Sequence, residues 1–190
     1  MPDLFASLPA AWRRGLMGLS SGVSILILMI FSTLGAPLTT PAAPLGMISF
    51  QLARTPQQIQ ALLASWDSTT RQVAAFCLGL DYLFMPAYAL AISLAARWVS
   101  AAMRQNLRSR GWPLAAAGVP IAWGVWLGAL LDAIENASQA AMLFGNLNPA
   151  LPGFTWIVAV IKYGLVFLGL AYVFYGLAAR LVTRSAGQPA

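Results

Sequence analysis

The sequence predicts an all-α integral membrane protein, a four-helix bundle with an additional amphipathic helix in its first external loop. Composition carries most of this prediction. Of the 190 residues, 59% are hydrophobic and 8% are charged, and the mean hydropathy is +0.74. Soluble domains are, by contrast, about 45–50% apolar and about 25% charged. Four apolar stretches are also long enough to cross a bilayer. We therefore expect residues 1–190 to form a single transmembrane domain.

The four predicted spans cover residues of about 15–36, 73–96, 113–144 and 154–179. Each contains the roughly 20 residues that a helix needs to cross about 30 Å of hydrocarbon. The apolar core of the first span, from Leu16 to Leu34, is longer than the roughly 7–15 residues typical of a cleaved signal peptide. We therefore expect it to remain as the first helix.

The connection between the first two spans is predicted to contain a short amphipathic helix at about 55–67. Thr55 is a suitable N-cap, Pro56 suits the first helical position, and Gln58 completes a capping box. Apolar residues then recur with the spacing of one helical face. They are Ile59, Leu62, Leu63 and Trp66. We expect this helix to lie on the membrane or over the mouth of the bundle.

Arginines at the ends of the spans predict the orientation of the chain. Eight of them fall on one side: Arg13, Arg14, Arg97, Arg104, Arg108, Arg110, Arg180 and Arg184. The opposite side carries only Arg54 and Arg71. Because basic residues near span ends stay preferentially in the cytoplasm, we place both termini there. Membrane flanks thereby explain most of the formal net charge of +6, and we expect no nucleic-acid partner.

Two GxxxG motifs predict close contacts between helices. Gly18 and Gly22 form one in the first span, and Gly124 and Gly128 form the other in the third. Apolar burial drives little association in lipid, so close approach at small residues supplies the contact. We expect these motifs to hold the bundle together from its cytoplasmic half toward its middle.

Strongly polar residues lie inside three of the spans at similar depths. Asp81, Glu135 and Lys162 each lie roughly 12–14 Å below the outer boundary, and Asp132 lies one turn deeper. Charged residues at such depths normally face the bundle interior, form pairs and mark function. We predict one charged layer shared by three helices. Its candidate binding residues are Asp81, Tyr82, Asp132, Glu135, Asn136, Gln139 and Lys162.

Missing residue types exclude several classes of site. The chain has no His and a single Cys. It therefore lacks the Ser/His and Cys/His catalytic couples, the commonest Zn²⁺ ligand sets and the usual haem ligand. A single Cys also cannot form a disulfide within the chain. We expect no metal site, and the sequence identifies no cofactor.

The charged layer favours a site that binds, or acts by proton transfer on, a small amphipathic or lipid-like molecule. Lys162 is assigned to the ligand's anionic or carbonyl group. Asp132 and Glu135 are assigned to hydrogen bonding or acid–base steps, and Asp81 to the acid that faces them. If the protein is an enzyme, these three acids are the catalytic candidates. A simpler interpretation is an ion pair of Lys162 with one acid that only fixes helix register.

Other function classes fit the same composition. One is a non-catalytic accessory subunit of a larger membrane protein complex, in which the charges hold the bundle together. Another is a proton-coupled transporter. Such transporters are commonly built from two inverted repeats, and because the four spans contain no detectable repeat, a homo-oligomer would have to supply the second half. Surrounding membrane lipids are expected contacts in every case.

Three short stretches resemble a group of small four-span bacterial membrane proteins. They are residues 49–53 (SFQLA), 80–84 (LDYLF) and 131–136 (LDAIEN). The resemblance implies a bacterial inner-membrane protein with four spans. No activity is assigned to that group, so it implies no catalytic residues.

Overall fold

The computed structural model describes residues 1–106, 114–146 and 148–185, and most of these residues are helical. Six α-helices follow one another in the described part: α1 (Ala10–Leu34), α2 (Met47–Leu52), α3 (Pro56–Ser65), α4 (Ser68–Asn106), α5 (Gly118–Leu143) and α6 (Leu151–Ser185). A short 3₁₀ helix, Ala36–Leu38, follows α1. Within these residues, α1, α4, α5 and α6 are long and apolar enough to cross a membrane. The predicted all-α class and four long apolar helices are confirmed.

The long helices extend past most of the predicted span boundaries. α1 begins at Ala10 rather than at about 15. It ends at Leu34 rather than at about 36, and the 3₁₀ helix Ala36–Leu38 follows. α4 has 39 residues, a length of roughly 58 Å, which is nearly twice the hydrocarbon thickness of about 30 Å that a span has to cross. α6 likewise runs beyond the predicted 154–179. Apolar length therefore located these helices but not their ends.

The start of the third span needs a correction. Residues 114–117 form a turn, in which Leu114 has the left-handed φ of 67°, and α5 begins only at Gly118. The predicted start at residue 113 lies outside the described residues. So do Arg108 and Arg110, and the side chain of Arg184, which contributed to the predicted orientation.

A polar residue determines where α4 begins. The backbone N–H of Thr70 donates to Oδ1 of Asp67 over 2.7 Å. This hydrogen bond holds the pKa of the exposed Asp67 carboxyl below its ordinary value. The helix consequently starts before the apolar run that predicted it.

α4 is the central helix of the described bundle. It packs against α1, α5 and α6, and α5 also packs against α6. α1 packs mainly on α4, and no extensive contact joins α1 to α6 in the described part of the chain. The surface of α4 between α1 and α6 is therefore left without a packed helix.

Residues 35–67, which we call the cap, pack against one end of the bundle. Trp66 and Phe50 are buried in the cap, and their rings meet edge to face with centroids 5.7 Å apart. The indole Nε1 of Trp66 donates to the carbonyl oxygen of Leu38 over 3.0 Å. The same apolar cluster includes Leu78 of α4 and Met142 of α5. The cap is thus fastened to two of the long helices.

The predicted capping box is present at the start of α3. The Thr55 hydroxyl accepts from the Gln58 N–H, and the Gln58 side chain accepts from the Thr55 N–H. The helix ends at Ser65 rather than 67, with Trp66 as its C-cap. Ile59 is buried within the cap. Whether α3 acts as an amphipathic helix on a membrane or over the bundle mouth stays a prediction.

The two GxxxG motifs have different surroundings. A methyl group added at Gly128 would lie 3.3 Å from Cγ2 of Val166, so this motif faces α6 closely. The same addition at Gly124 would also contact α6, at 3.7 Å. At Gly18 or Gly22 it would have no neighbouring heavy atom within 4 Å among the described residues. The expectation that the first motif pins α1 into the bundle is therefore wrong for the described chain, because α1 contacts α4 through other residues.

The tightest packing of α6 lies at two other glycines. An added methyl carbon would lie 2.6 Å from Cγ2 of Val125 at Gly169, and 2.5 Å from Cβ of Val99 at Gly176. Neither distance is tolerated without movement of the neighbouring helix. Glycine therefore permits the close packing of α6 against α4 and α5.

Candidate functional site

A buried group of three charges joins α5 to α6. Nζ of Lys162 lies 2.9 Å from Oδ1 of Asp132 and 2.6 Å from Oε2 of Glu135. The contact with Asp132 is a hydrogen bond as well as an ion pair, and the contact with Glu135 is a close ion pair. Each of these residues is at most 4% exposed. The predicted convergence is confirmed for them, and Lys162 contacts two acids rather than one.

Asp81 on α4 joins this layer through an amide on α5. Nδ2 of Asn136 donates to Oδ2 of Asp81 over 2.8 Å and to the carbonyl oxygen of Leu78 over 3.3 Å. Asp81 is half-buried, and it forms no salt bridge within the described residues. Oδ1 of Asn136 is buried and has no hydrogen-bond partner in the same part of the chain.

Two further side chains hold the acids of α5 in place. Nε2 of Gln139 donates to Oε1 of Glu135 over 2.7 Å. The hydroxyl of Tyr88 on α4 donates to Oδ2 of Asp132 over 3.0 Å. Each carboxylate therefore accepts a hydrogen bond from a neutral donor on one oxygen and contacts Lys162 through the other.

Tyr82 lies apart from the other candidate residues. It is 48% exposed, and its hydroxyl donates to the carbonyl oxygen of Ala133 over 3.2 Å. Adjacent helix residues point about 100° apart, so Tyr82 cannot share the direction of Asp81. Its role in binding stays a prediction.

A cavity of about 720 Å³ lies beside the charged layer. All four long helices and the cap contribute to its wall. Asp81, Asp132, Asn136 and Lys162 reach the wall, whereas Glu135 and Gln139 do not. Most of the remaining wall is apolar, with side chains that include Ile25, Leu28, Phe31, Phe84, Val166 and Leu170. The charged layer is therefore the polar side of an otherwise apolar cavity.

The cap meets the cavity through α2 and the turn before it. Gly46, Met47 and Gln51 line this end, and no residue of α3 does. The hydroxyl of Tyr163 on α6 donates to Oε1 of Gln51. α2, which the sequence did not predict, is thus the cap helix nearest the charged layer.

Sequence reasoning also missed the contribution of α1. Ser21 and Ser24 line the cavity, and the Ser24 hydroxyl donates back to the carbonyl oxygen of Ser20 over 2.8 Å. These serines lie close together in an otherwise apolar span. Small polar residues of this kind favour the side of a membrane helix that faces other protein. That signal could have placed α1 at the site.

The formal charges of the layer are unbalanced. It contains three carboxyl groups and one ammonium group. Lys162 is engaged by Asp132 and Glu135, so Asp81 is the acid of this layer without a salt bridge in the described chain. The layer is consequently better arranged to receive a positive or donating group than to offer a free cation.

Comparisons of the chain with protein-family models, with curated proteins and with solved structures found no match. The resemblance to small four-span bacterial proteins therefore stays an expectation.

Proposed function

We propose that this chain is a multi-pass membrane protein whose cavity binds a small amphipathic or lipid-like molecule. The main support is the division of the cavity wall into a large apolar part and one charged side. An amphipathic molecule has the same division. The volume of about 720 Å³ is within the roughly 300–1,000 Å³ typical of small-molecule sites.

The arrangement of α1 and α6 supports a lateral route into the cavity. Both helices line the cavity, yet no extensive contact joins them in the described chain. Ile25 and Leu28 of α1 are 59% and 52% exposed at this edge. A tail can therefore occupy the gap between the helices while the head contacts the charged layer.

The three catalytic candidates differ in what they offer a bound molecule. Asp132 and Glu135 are each in contact with Lys162, so both already have a cationic partner within the protein. Asp81 reaches the cavity wall and forms no salt bridge in the described chain. If binding is accompanied by proton transfer, we assign the exchange to Asp81.

We also propose that the protein lies in a bacterial inner membrane with both termini in the cytoplasm. The surplus of arginine at the end of the bundle opposite the cap supports this orientation. Labelling of introduced cysteines from each side of the membrane tests it.

Filling the cavity tests the proposed binding. Leu28 lines the cavity and is 52% exposed, whereas Leu26, on the same helix, is 57% exposed and does not line it. Leu28→Trp places an indole at the cavity, and Leu26→Trp adds the same bulk elsewhere on α1. Because a ligand that binds only the folded protein raises its Tm, a dodecyl amphiphile should stabilise wild type and Leu26→Trp in lipid nanodiscs.

The apparent affinity for that amphiphile is expected to fall about tenfold or more in Leu28→Trp, which is about 1.4 kcal/mol. Dodecylamine, dodecanol and dodecanoate serve as probes, and the one that raises the Tm most is used for the comparison. An equal response from both tryptophan variants would refute binding in this cavity.

A second candidate function, an accessory subunit of a larger membrane complex, is supported by Gly18 and Gly22. These residues form a GxxxG ridge that no described helix approaches, and such ridges commonly pack against another membrane helix. A stoichiometric partner that copurifies from native membranes favours this role, and a monodisperse single chain counts against it.

A further inference from the structure

The charge pairing around the cavity indicates which head group it accepts. Lys162 is the one cation on the described cavity wall, and two carboxylates already contact its Nζ, at 2.9 and 2.6 Å. Asp81 also lines the cavity, but it is half-buried and has no salt bridge in the described chain. The charged group that remains available to a ligand is therefore an acid.

One oxygen of the Asp81 carboxylate remains available. Nδ2 of Asn136 lies 2.8 Å from Oδ2 of Asp81 and 3.3 Å from the carbonyl oxygen of Leu78, so this amide holds the carboxylate at the cavity wall. Within the described residues, Oδ1 of Asp81 accepts no hydrogen bond. Because an ionised carboxylate accepts on both oxygens, Oδ1 can take a donor supplied by a ligand.

We propose that the cavity binds a single-chain amphiphile whose head is a primary ammonium group, with Asp81 as its counter-ion and hydrogen-bond acceptor. This inference rests on the proposed function and names the class of its ligand. A primary ammonium group has three N–H donors and no acceptor, so it can donate to the Asp81 carboxylate and balance its charge at the same time.

Other head groups match this wall less well. An anionic head would approach Asp81 and Asp132 while Lys162 is already engaged, so like charges would oppose it. A hydroxyl offers one donor and no charge. A quaternary ammonium group has the charge but no N–H to donate to Asp81.

The apolar wall accounts for the tail. Leu28 of α1 and Val166 and Leu170 of α6 line the cavity on its two sides. A tail lying between them buries apolar surface, which a head without a tail cannot do. Methylammonium is therefore expected to bind far more weakly than dodecylamine.

A head-group series tests the inference. Binding of dodecylamine, dodecyltrimethylammonium, dodecanol, dodecanoate and methylammonium is measured at neutral pH by the Tm of the protein in phosphatidylcholine nanodiscs. The variants are Asp81→Asn and a matched control, Asp67→Asn. Asp67 lies outside the cavity at the start of α4, where Asn caps a helix about as well as Asp.

Dodecylamine is expected to bind wild type and Asp67→Asn at least about tenfold more tightly than every other probe. That advantage should disappear in Asp81→Asn. The series in wild type alone remains a test if Asp81→Asn does not fold. Equal affinity for dodecylamine and for the quaternary, alcohol, carboxylate or tail-less probe would overturn the inference.

The two proposals fail in different ways. If dodecanol or dodecanoate binds as tightly as the amine, and Leu28→Trp still abolishes that binding, the ammonium assignment is wrong and the cavity remains a binding site. If Leu28→Trp changes the binding of none of the probes, the proposed function fails and the ammonium assignment fails with it.

Discussion

At the residue scale, Lys162 is held by the protein's own carboxylates. Asp132 and Glu135 are three residues apart on one helix, so they project to the same side, and Nζ of Lys162 contacts both. The sequence predicted the level at which these groups meet, because depth follows from position within a span. It did not predict the pairing, because the distance between α5 and α6 depends on packing at residues such as Gly128. The assignment of Lys162 to a ligand group came from depth alone.

Removing the lysine charge should destabilise the protein. Lys162→Met leaves Asp132 and Glu135 buried together without a cation, and loss of one partner of a buried ion pair typically costs about 3–5 kcal/mol. We expect the free energy of unfolding in mild detergent to fall by about 3 kcal/mol or more.

Neutralising the whole group is the control for this prediction. Adding Asp132→Asn and Glu135→Gln to Lys162→Met removes the uncompensated charges, so part of the lost stability should return. Wild-type stability in Lys162→Met alone would contradict the contacts described for Lys162.

At the element scale, the number and order of the long helices follow from the sequence, and the cap does not. Apolar runs of span length identify α1, α4, α5 and α6 from sequence alone, because such a run does not depend on how the helices pack. The cap depends on contacts between distant residues, such as the hydrogen bond of Trp66 to the carbonyl of Leu38. Such contacts leave no periodic pattern, so α2 was missed. The capping box of α3 was found because Thr55 and Gln58 are local partners.

Two glycines of α6 provide a matched test of helix packing. Gly176→Ala would bring a methyl carbon to 2.5 Å from Val99, whereas Gly164→Ala meets no heavy atom within 4 Å in the described chain. Overpacking typically costs about 1–3 kcal/mol, and Ala in place of Gly within a helix gains about 0.5–1 kcal/mol.

We therefore expect Gly176→Ala to lower the free energy of unfolding by about 1 kcal/mol or more. Gly164→Ala should leave it unchanged or slightly higher. Unfolding in a denaturant series measures both variants, and equal stability of the two would contradict the close approach of α6 to α4.

At the scale of the whole molecule, α1 is attached to the bundle by the segments that precede and follow it. No extensive contact joins α1 to α6 in the described chain. Before α1, Asp3 forms a salt bridge with Arg97 of α4, and the indole of Trp123 donates to the carbonyl oxygen of Pro2 over 3.0 Å. After α1, the cap packs on α4 and α5. The cavity therefore lies where α1 lacks a partner on the side of α6.

The cap also connects to α6 at the far side of the cavity. The guanidinium carbon of Arg54 lies 4.1 Å from the centroid of the Trp156 ring, and Tyr163 donates to Gln51. These contacts place a polar, packed closure at one end, while the side between α1 and α6 is apolar. The proposed route of a ligand from the bilayer therefore lies on the apolar side.

Photolabelling tests this central claim most directly. The probe is a dodecyl amphiphile, in amine and in alcohol forms, that carries a diazirine in its chain, and labelled peptides are identified by mass spectrometry from protein in nanodiscs. We predict labels concentrated in residues 21–32 of α1 and 162–170 of α6, present in Leu26→Trp and lost in Leu28→Trp. Labels spread evenly over the exposed faces of the four long helices, and unchanged in Leu28→Trp, would contradict it.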